Sequence, residues 1–157
     1  MVKASATVIV SALTVAGVAG AAQEPTSYKL TATLTTSAEV PKPTGVKAGT
    51  RGTFTGTVVV PASPYARPAL TWKLAFANLT GPARRAHIHR VHSRSGGPGK
   101  VLFSLCCPCR NGHSGRGSTS HQYLKLILDG KAYVDVHTAK NQDGEIRGKL
   151  NAVKMKP

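Results

Sequence analysis

Acidic residues are scarce. Six Asp and Glu stand against 21 Lys and Arg in 157 residues, a formal charge of +15 at pH 7. Such an imbalance speaks to partners and solubility rather than to fold. It suits attraction to polyanions (acidic polysaccharide, anionic cell wall or nucleic acid), and equally a solvated surface adapted for solubility. Aromatic residues make up only 5% of the chain, and no aromatic-rich RNA-binding signature or zinc-finger spacing accompanies the basic charge. Past the N-terminus there is no apolar run near the ~20 residues a membrane span needs, so the mature chain carries no span. There is no internal repeat. No Ser-His-Asp order, glycine-rich phosphate loop or pair of catalytic glutamates is present, and Asp135 and His137 could pair as acid and base but lack an evident nucleophile. Those absences point to a binding or surface module rather than an enzyme.

The chain opens MVKASATVIVSALTVAGVAGAAQEPT. Lys3 gives a short positive region, residues 4–19 are mildly apolar, and Ala19-Gly20-Ala21 is a small-residue cleavage pattern. Residues 1–21 therefore read as a secretory signal peptide, with residues 22–157 as a single mature domain. The expected location is secreted, periplasmic or cell-envelope. Losing Lys3 leaves twenty Lys and Arg against six Asp and Glu, a formal +14.

Period-two alternation dominates what remains. Tyr28, Leu30, Ala32 and Leu34 oppose Lys29, Thr31, Thr33 and Thr35; Phe54 and Val58 oppose Thr53, Thr55 and Thr57; Trp72, Leu74 and Phe76 oppose Thr71, Lys73 and Ala75. KAYVDVHT (131–138) and EIRGKLNAV (145–153) continue the pattern. Alternation rich in Thr and Val, broken by PKPTG, PASPYARP, NLTGP and NQDG, predicts half-buried strands joined by turns. The fold expected is all-β, an antiparallel Greek-key β-sandwich or barrel with its core over 27–153. One short helix is expected near 121–129, ended by Gly130. Residues 93–120, rich in Gly, Ser and Arg, are expected to form a long irregular loop.

Two blocks, NLTGPARRAHIH (78–89) and LDGKAYVDVHTAKNQDGEIRGKL (128–150), resemble the CHRD domain, a family named after the extracellular protein chordin and common in secreted bacterial proteins. In that family an L-x-G-P…A-H-I-H block precedes a G-x-x-Y-V-x-V-H-T…G-E-I-R-G block. The resemblance runs from about Ser27 to Val153. It implies an immunoglobulin-like β-barrel distantly similar to copper/zinc superoxide dismutase, and an extracellular setting. The chain departs from the pattern where many members have H-I-H-G: here His89 is followed by Arg90, Val91 and His92. The Cys-Cys-Pro-Cys cluster is also unusual for the family.

Three of the six histidines fall in RRAHIHRVH (84–92). Residues i and i+2 of a strand share a face, ~7 Å apart at the backbone. His87 and His89 therefore point together, opposite Ile88. In the later strand His137 lies with Asp135 and Tyr133, opposite Val134 and Val136. The trio faces away from the aliphatic core, outward or into a pocket covered by the 93–120 stretch. Three imidazoles suit copper or zinc, and the resemblance to a fold whose copper site uses H-x-H adds an analogy. The alternative is that these histidines hydrogen-bond across strands. His92, His113 and His121 read as loop residues. Four copper histidines plus a zinc cluster cannot be assembled without loop histidines, so dismutase activity is not expected.

The two late strands should form a hairpin with Val136 opposite Ile146, Val134 opposite Gly148, and Asp135 opposite Arg147. A one-residue slip would set charges against the core; a two-residue slip would oppose His137 and Arg147. The favoured register sets Glu145 opposite His137, as the carboxylate that orients it, with Asp135 also in the outer layer around the ligands. Two conditions follow: the trio must converge to within ~10 Å, and Glu145 must reach His137.

Cys106, Cys107 and Cys109 are the only cysteines. In an exported chain they read as a disulfide with one thiol left over. Cys106–Cys109 is the expected pair, because neighbours bond with strain and Cys107–Cys109 closes a very tight loop. Soft-metal binding by the cluster with His113 is the alternative. The chain thus reads as an exported CHRD-type β-sandwich acting as a non-enzymatic binding or surface module. One alternative is a copper- or zinc-binding protein built on His87, His89 and His137. The other is a binder of anionic polymers through the basic surface.

Overall fold

The computed structural model describes residues 23–91 and 99–156. The expected leader, its cleavage site and His92 lie outside the described residues. Alternation becomes strand wherever the sequence carries it: β1 (Thr26–Thr35), β2 (Arg51–Val60), β3 (Ala69–Ala77), β4 (Ala83–Arg90), β7 (Ala132–Thr138), β8 (Ile146–Lys149) and β9 (Asn151–Lys154). Two further strands, β5 (Val101–Cys106) and β6 (His113–Ser118), occupy the stretch expected to be irregular. Helix α1 (His121–Leu128) stands where the sequence places it. The Ser120 side chain accepts from the Tyr123 N–H to cap it, and Leu124 and Ile127 are its buried residues. It gives way to Gly130, whose φ of +68° suits glycine. Among the described residues no helix is long and apolar enough to cross a membrane.

The strands form one antiparallel sheet in the order β5-β4-β7-β8-β1-β2-β3-β6, with β9 also pairing β1. Meanders are interleaved by long connections that carry β4 beside β7 and β6 beside β3, the Greek-key-like connectivity the turn spacing suggested. The sheet curls into a nearly closed barrel. Phe103 of β5 meets Trp72 of β3 edge-on, with ring centroids 5.1 Å apart. The same ring lies over Gly117 of β6, where a Cβ would come within 2.8 Å of it. The two ends of the sheet are therefore joined by aromatic packing.

This packing explains why β6 escapes a pattern search. Its sequence is HSGRGS, and two of its three inward positions, 115 and 117, are glycines. A Cβ at Gly115 would fall 2.4 Å from the Trp72 ring. The strand supplies backbone and its neighbours supply the apolar cover, so no alternation is visible.

The interior is one cluster. Leu74, Val134, Val136 and Ile146 are fully buried and Trp72 is 8% exposed. Phe76, near the end of β3, packs against the cluster only half-buried. The expected hairpin register holds: Val136 faces Ile146, Asp135 faces Arg147 and Val134 faces Gly148. Trp72 packs against both the core and the barrel's closing edge. Trp72→Ala should therefore cost ~3–5 kcal/mol, the range for large aromatic truncations. Chemical denaturation checks this, and a near-neutral midpoint shift would contradict it.

Candidate metal centre

Strand β4 pairs with β7 so that His87 lies opposite Asp135 and His89 opposite Tyr133. Side chains of paired residues share a face. All four therefore project from the outside of the barrel, with His137 one step along β7. The outward face is nevertheless buried at this point. Asp135 is 0% exposed and His89 and His137 are each 4% exposed, while His87 is half-buried. Part of the cover is Gly99, just before β5: its carbonyl accepts from His89 Nδ1 at 2.6 Å, and its N–H donates to the Tyr133 hydroxyl at 3.1 Å.

Four donor atoms converge: His87 Nδ1, His89 Nε2, His137 Nε2 and Asp135 Oδ1. All four lie within 4.8 Å of one another. His87 Nδ1 is 3.3 Å from His137 Nε2 and 3.4 Å from His89 Nε2. Asp135 Oδ1 is 3.0 Å from His137 Nε2 and 3.4 Å from His89 Nε2. The remaining oxygen, Asp135 Oδ2, is buried without a hydrogen-bond partner.

Carbonyl groups set the tautomers of two of these rings. His89 Nδ1 faces Gly99 O, and His137 Nδ1 faces Gln142 O at 2.9 Å. A carbonyl only accepts, so each Nδ1 carries the proton and each Nε2 presents a lone pair to the cluster. Either ring can then donate to Asp135 only as an imidazolium. The centre thus calls for a cation, which can be a proton or a metal ion. The ionisation of the groups agrees. Burial alone would raise the Asp135 carboxyl, but hydrogen bonds from His137 and His89 outweigh it and bring it down to about 2. Burial, reinforced by the neighbouring His137, lowers His87 to about 4 and keeps it neutral. For His89 burial opposes charge, yet the bond to Asp135 wins and raises it above its ordinary value.

Behind the donors lies a stacked support that sequence reading missed. The Tyr133 ring stacks on His89, with centroids 5.2 Å apart and planes 8° apart. The Arg147 guanidinium sits 4.1 Å from the centre of that tyrosine ring and reaches the buried Glu39 carboxylate at 2.7 Å. Tyr133 was visible beforehand as a residue on the same face as His137. Glu39 was not, because it arrives from the irregular segment between β1 and β2.

The trio meets its condition for convergence; Glu145 does not meet its own. Its carboxylate accepts from the Thr80 N–H at 2.6 Å, from the Thr138 hydroxyl at 2.7 Å and from the Asn141 amide at 3.1 Å. The reason is local. Glu145 precedes β8 at a bend after Gly144, whose φ is +131°, so strict alternation fails there and its side chain turns to the Thr138 side of β7. Gln142 O takes the role expected of Glu145. Asp135, expected in the outer layer, places Oδ1 among the donors themselves. His113 and His121 stand apart from this group, and His121 Nε2 bonds the Ala66 carbonyl at 3.1 Å.

The cysteines settle differently from the soft-metal alternative. Cys106 and Cys109 form a disulfide at the β5–β6 corner, which removes both as thiolate ligands, and Cys107 is free and exposed.

A family model for the CHRD domain matches residues 30–150. The chain belongs to the CHRD-domain family. No curated protein and no solved structure matches it. Both sequence blocks that mark this CHRD domain meet at the cluster: the first supplies His87 and His89 on β4, the second Asp135 and His137 on β7.

Two outcomes follow. Burial opposes ionisation of Glu145, but its hydrogen bonds from Thr80, Thr138 and Asn141 hold the carboxyl below the usual carboxylate range. A depressed folded pKa gives stability that is present above the unfolded value and lost as pH falls through the folded one. Glu145→Gln should cost ~1–3 kcal/mol at neutral pH and flatten the acid limb of the stability profile. Urea titrations between neutrality and pH 3 check both. Separately, alkylation of the native protein followed by peptide mapping should label Cys107 and leave Cys106 and Cys109 unmodified until reduction.

Proposed function

We propose that this CHRD domain is an exported binding module that holds one transition-metal ion, zinc or copper(II), at His87, His89, His137 and Asp135, and that it is not an enzyme. The observation that carries the reading is the spacing of the donors. Neighbouring donor atoms around a four-coordinate ion bound at 2.0–2.1 Å lie about 3 Å apart. Here the four atoms form a ring in which each is 3.0 to 3.4 Å from its two neighbours, with all of them within 4.8 Å of one another.

The donor set narrows the ion. Three imidazoles and one carboxylate contain no thiolate or thioether to favour copper(I), and too few oxygens for calcium or magnesium. The carbonyls at Gly99 and Gln142 fix two rings with Nε2 toward the centre, the usual outer support of a metal-bound histidine. Four protein ligands in a largely buried setting fill a four-coordinate ion. Catalytic zinc sites instead keep a position for water or substrate, so the arrangement favours holding an ion over turning over a substrate. Export is supported by the leader-like N-terminus, by the Cys106–Cys109 disulfide and by the extracellular setting the family resemblance implies.

The test is metal analysis of untagged protein, stripped with chelator, reloaded with zinc or copper(II) sulfate and desalted. About one ion per chain is expected, with a melting temperature that rises with free metal. His137→Ala and Asp135→Asn should each lower the affinity strongly, whereas Glu145→Gln should retain it. Copper-loaded protein should disproportionate superoxide no faster than its Asp135→Asn variant. Substoichiometric metal that the His137→Ala variant binds equally well would overturn the centre; superoxide turnover lost with Asp135 would overturn the non-enzymatic reading.

A further inference from the structure

The outside of the barrel divides into two regions of different character. Over β4 and β7 it is covered and holds the histidine cluster. Over β1, β2, β3 and β6 it is open and contains no Asp or Glu at all. Its outward residues form rows that the strand register defines. Lys29, Thr57, Thr71 and Arg116 make one row; Thr31, Thr55, Lys73 and Ser114 make the next. Two steps further along, Arg51 stands beside Thr35. Lys29, Arg51, Lys73 and Arg116 are all exposed. Neighbouring positions in a row are ~4.8 Å apart and successive rows ~6.8 Å apart. The surface is thus a grid of hydroxyls with fixed cations spread across it.

The rest of the molecule sharpens this charge. Three of the six acidic residues, Glu39, Asp135 and Glu145, are fully buried. Of the other three, Asp129 is engaged by Lys125 and Lys131 on α1 and the turn after it, and Glu24 and Asp143 lie outside the four strands.

We propose that this face is a docking surface for an anionic polysaccharide. Charge complementarity calls for a polyanion. The hydroxyl grid selects among polyanions, since Thr and Ser side chains both donate to and accept from sugar hydroxyls and carboxylates. Binders of single-stranded nucleic acid present aromatic rings for bases to stack on. On this face the one tryptophan, Trp72, points into the core; Tyr65, 95% exposed, stands off the face in the loop between β2 and β3. The surface is separate from the metal centre, and the proposal is independent of that reading.

The experiment uses the full mature chain and three probes: polygalacturonate for carboxylated sugars, dextran sulfate for sulfated ones, and single-stranded DNA. Two fourfold variants carry the same net charge. One neutralises the face (Lys29→Gln, Arg51→Gln, Lys73→Gln, Arg116→Gln), and the other neutralises exposed cations elsewhere (Lys47→Gln, Arg110→Gln, Lys140→Gln, Lys149→Gln). The face variant should lose on the order of tenfold or more in affinity for at least one polysaccharide, with a shallower salt dependence; the control should lose far less. Thr33→Val with Thr55→Val should weaken polysaccharide binding and leave the salt slope unchanged. Equal losses in the two fourfold variants would show diffuse charge and overturn the proposal, as would tighter binding to DNA than to either polysaccharide. Unchanged melting temperatures establish that all variants are folded.

Discussion

The pairing of β4 with β7 is the constraint on which the rest of the site depends. Its register sets His87 against Asp135 and His89 against Tyr133. A shift of one residue would send the histidines into the apolar interior and Ile88 outward, which the packing of Ile88, Val134 and Val136 forbids. Core burial thus specifies the register, and the register specifies the donor geometry. The metal centre needs no device of its own to be assembled. It inherits its precision from a sheet that would form in the same way around apolar residues alone.

That inheritance leaves an electrostatic demand. Lone pairs from three imidazoles and one carboxylate meet at 3.0–3.4 Å, and a buried carboxylate requires a compensating partner. Asp135 stays ionised because two imidazoles face it. Glu39 is the instructive contrast. Burial raises it to about 7, although Arg147 opposes the shift. One buried carboxylate is thus held ionised by two imidazoles, whereas for the other the Arg147 guanidinium and the Val40 N–H do not outweigh burial, and it titrates near neutrality.

Much of this was legible in the residues, and the exceptions have physical causes. Alternation identified β1, β2, β3, β7 and β8 because each has one face on the core. The i, i+2 rule placed His87 with His89 and Asp135 with His137. It failed at Glu145, where a glycine in an unusual conformation ends the regular strand. It also could not see β6, whose inward Gly115 and Gly117 are shaped to Trp72 and Phe103. Nor could alternation reveal that the outward face over β4 and β7 is covered. That depends on where Glu39 and Gly99 come to rest, and these lie in segments without periodicity. Short-range pattern therefore located the donors, and long-range packing decided that they are buried.

Arg147 connects these levels. It pairs with Asp135 on one side and with Thr35 on the other, so it stands where the covered region of the outer face gives way to the open one. Its guanidinium stacks on Tyr133, which stacks in turn on His89, and it bonds both Glu39 and the Val40 carbonyl. The segment after β1 is thereby pinned over the sheet. Without that anchor, water would reach the second side of Tyr133 and the ring would lose a support against which His89 is held. A basic residue in a basic chain would ordinarily be read as part of the solvated surface. Here the same residue type has two uses: where a carboxylate is buried beside it, it holds a layer in place, and where none is, as at Lys29, Lys73 and Arg116, it leaves a positive face open to solvent.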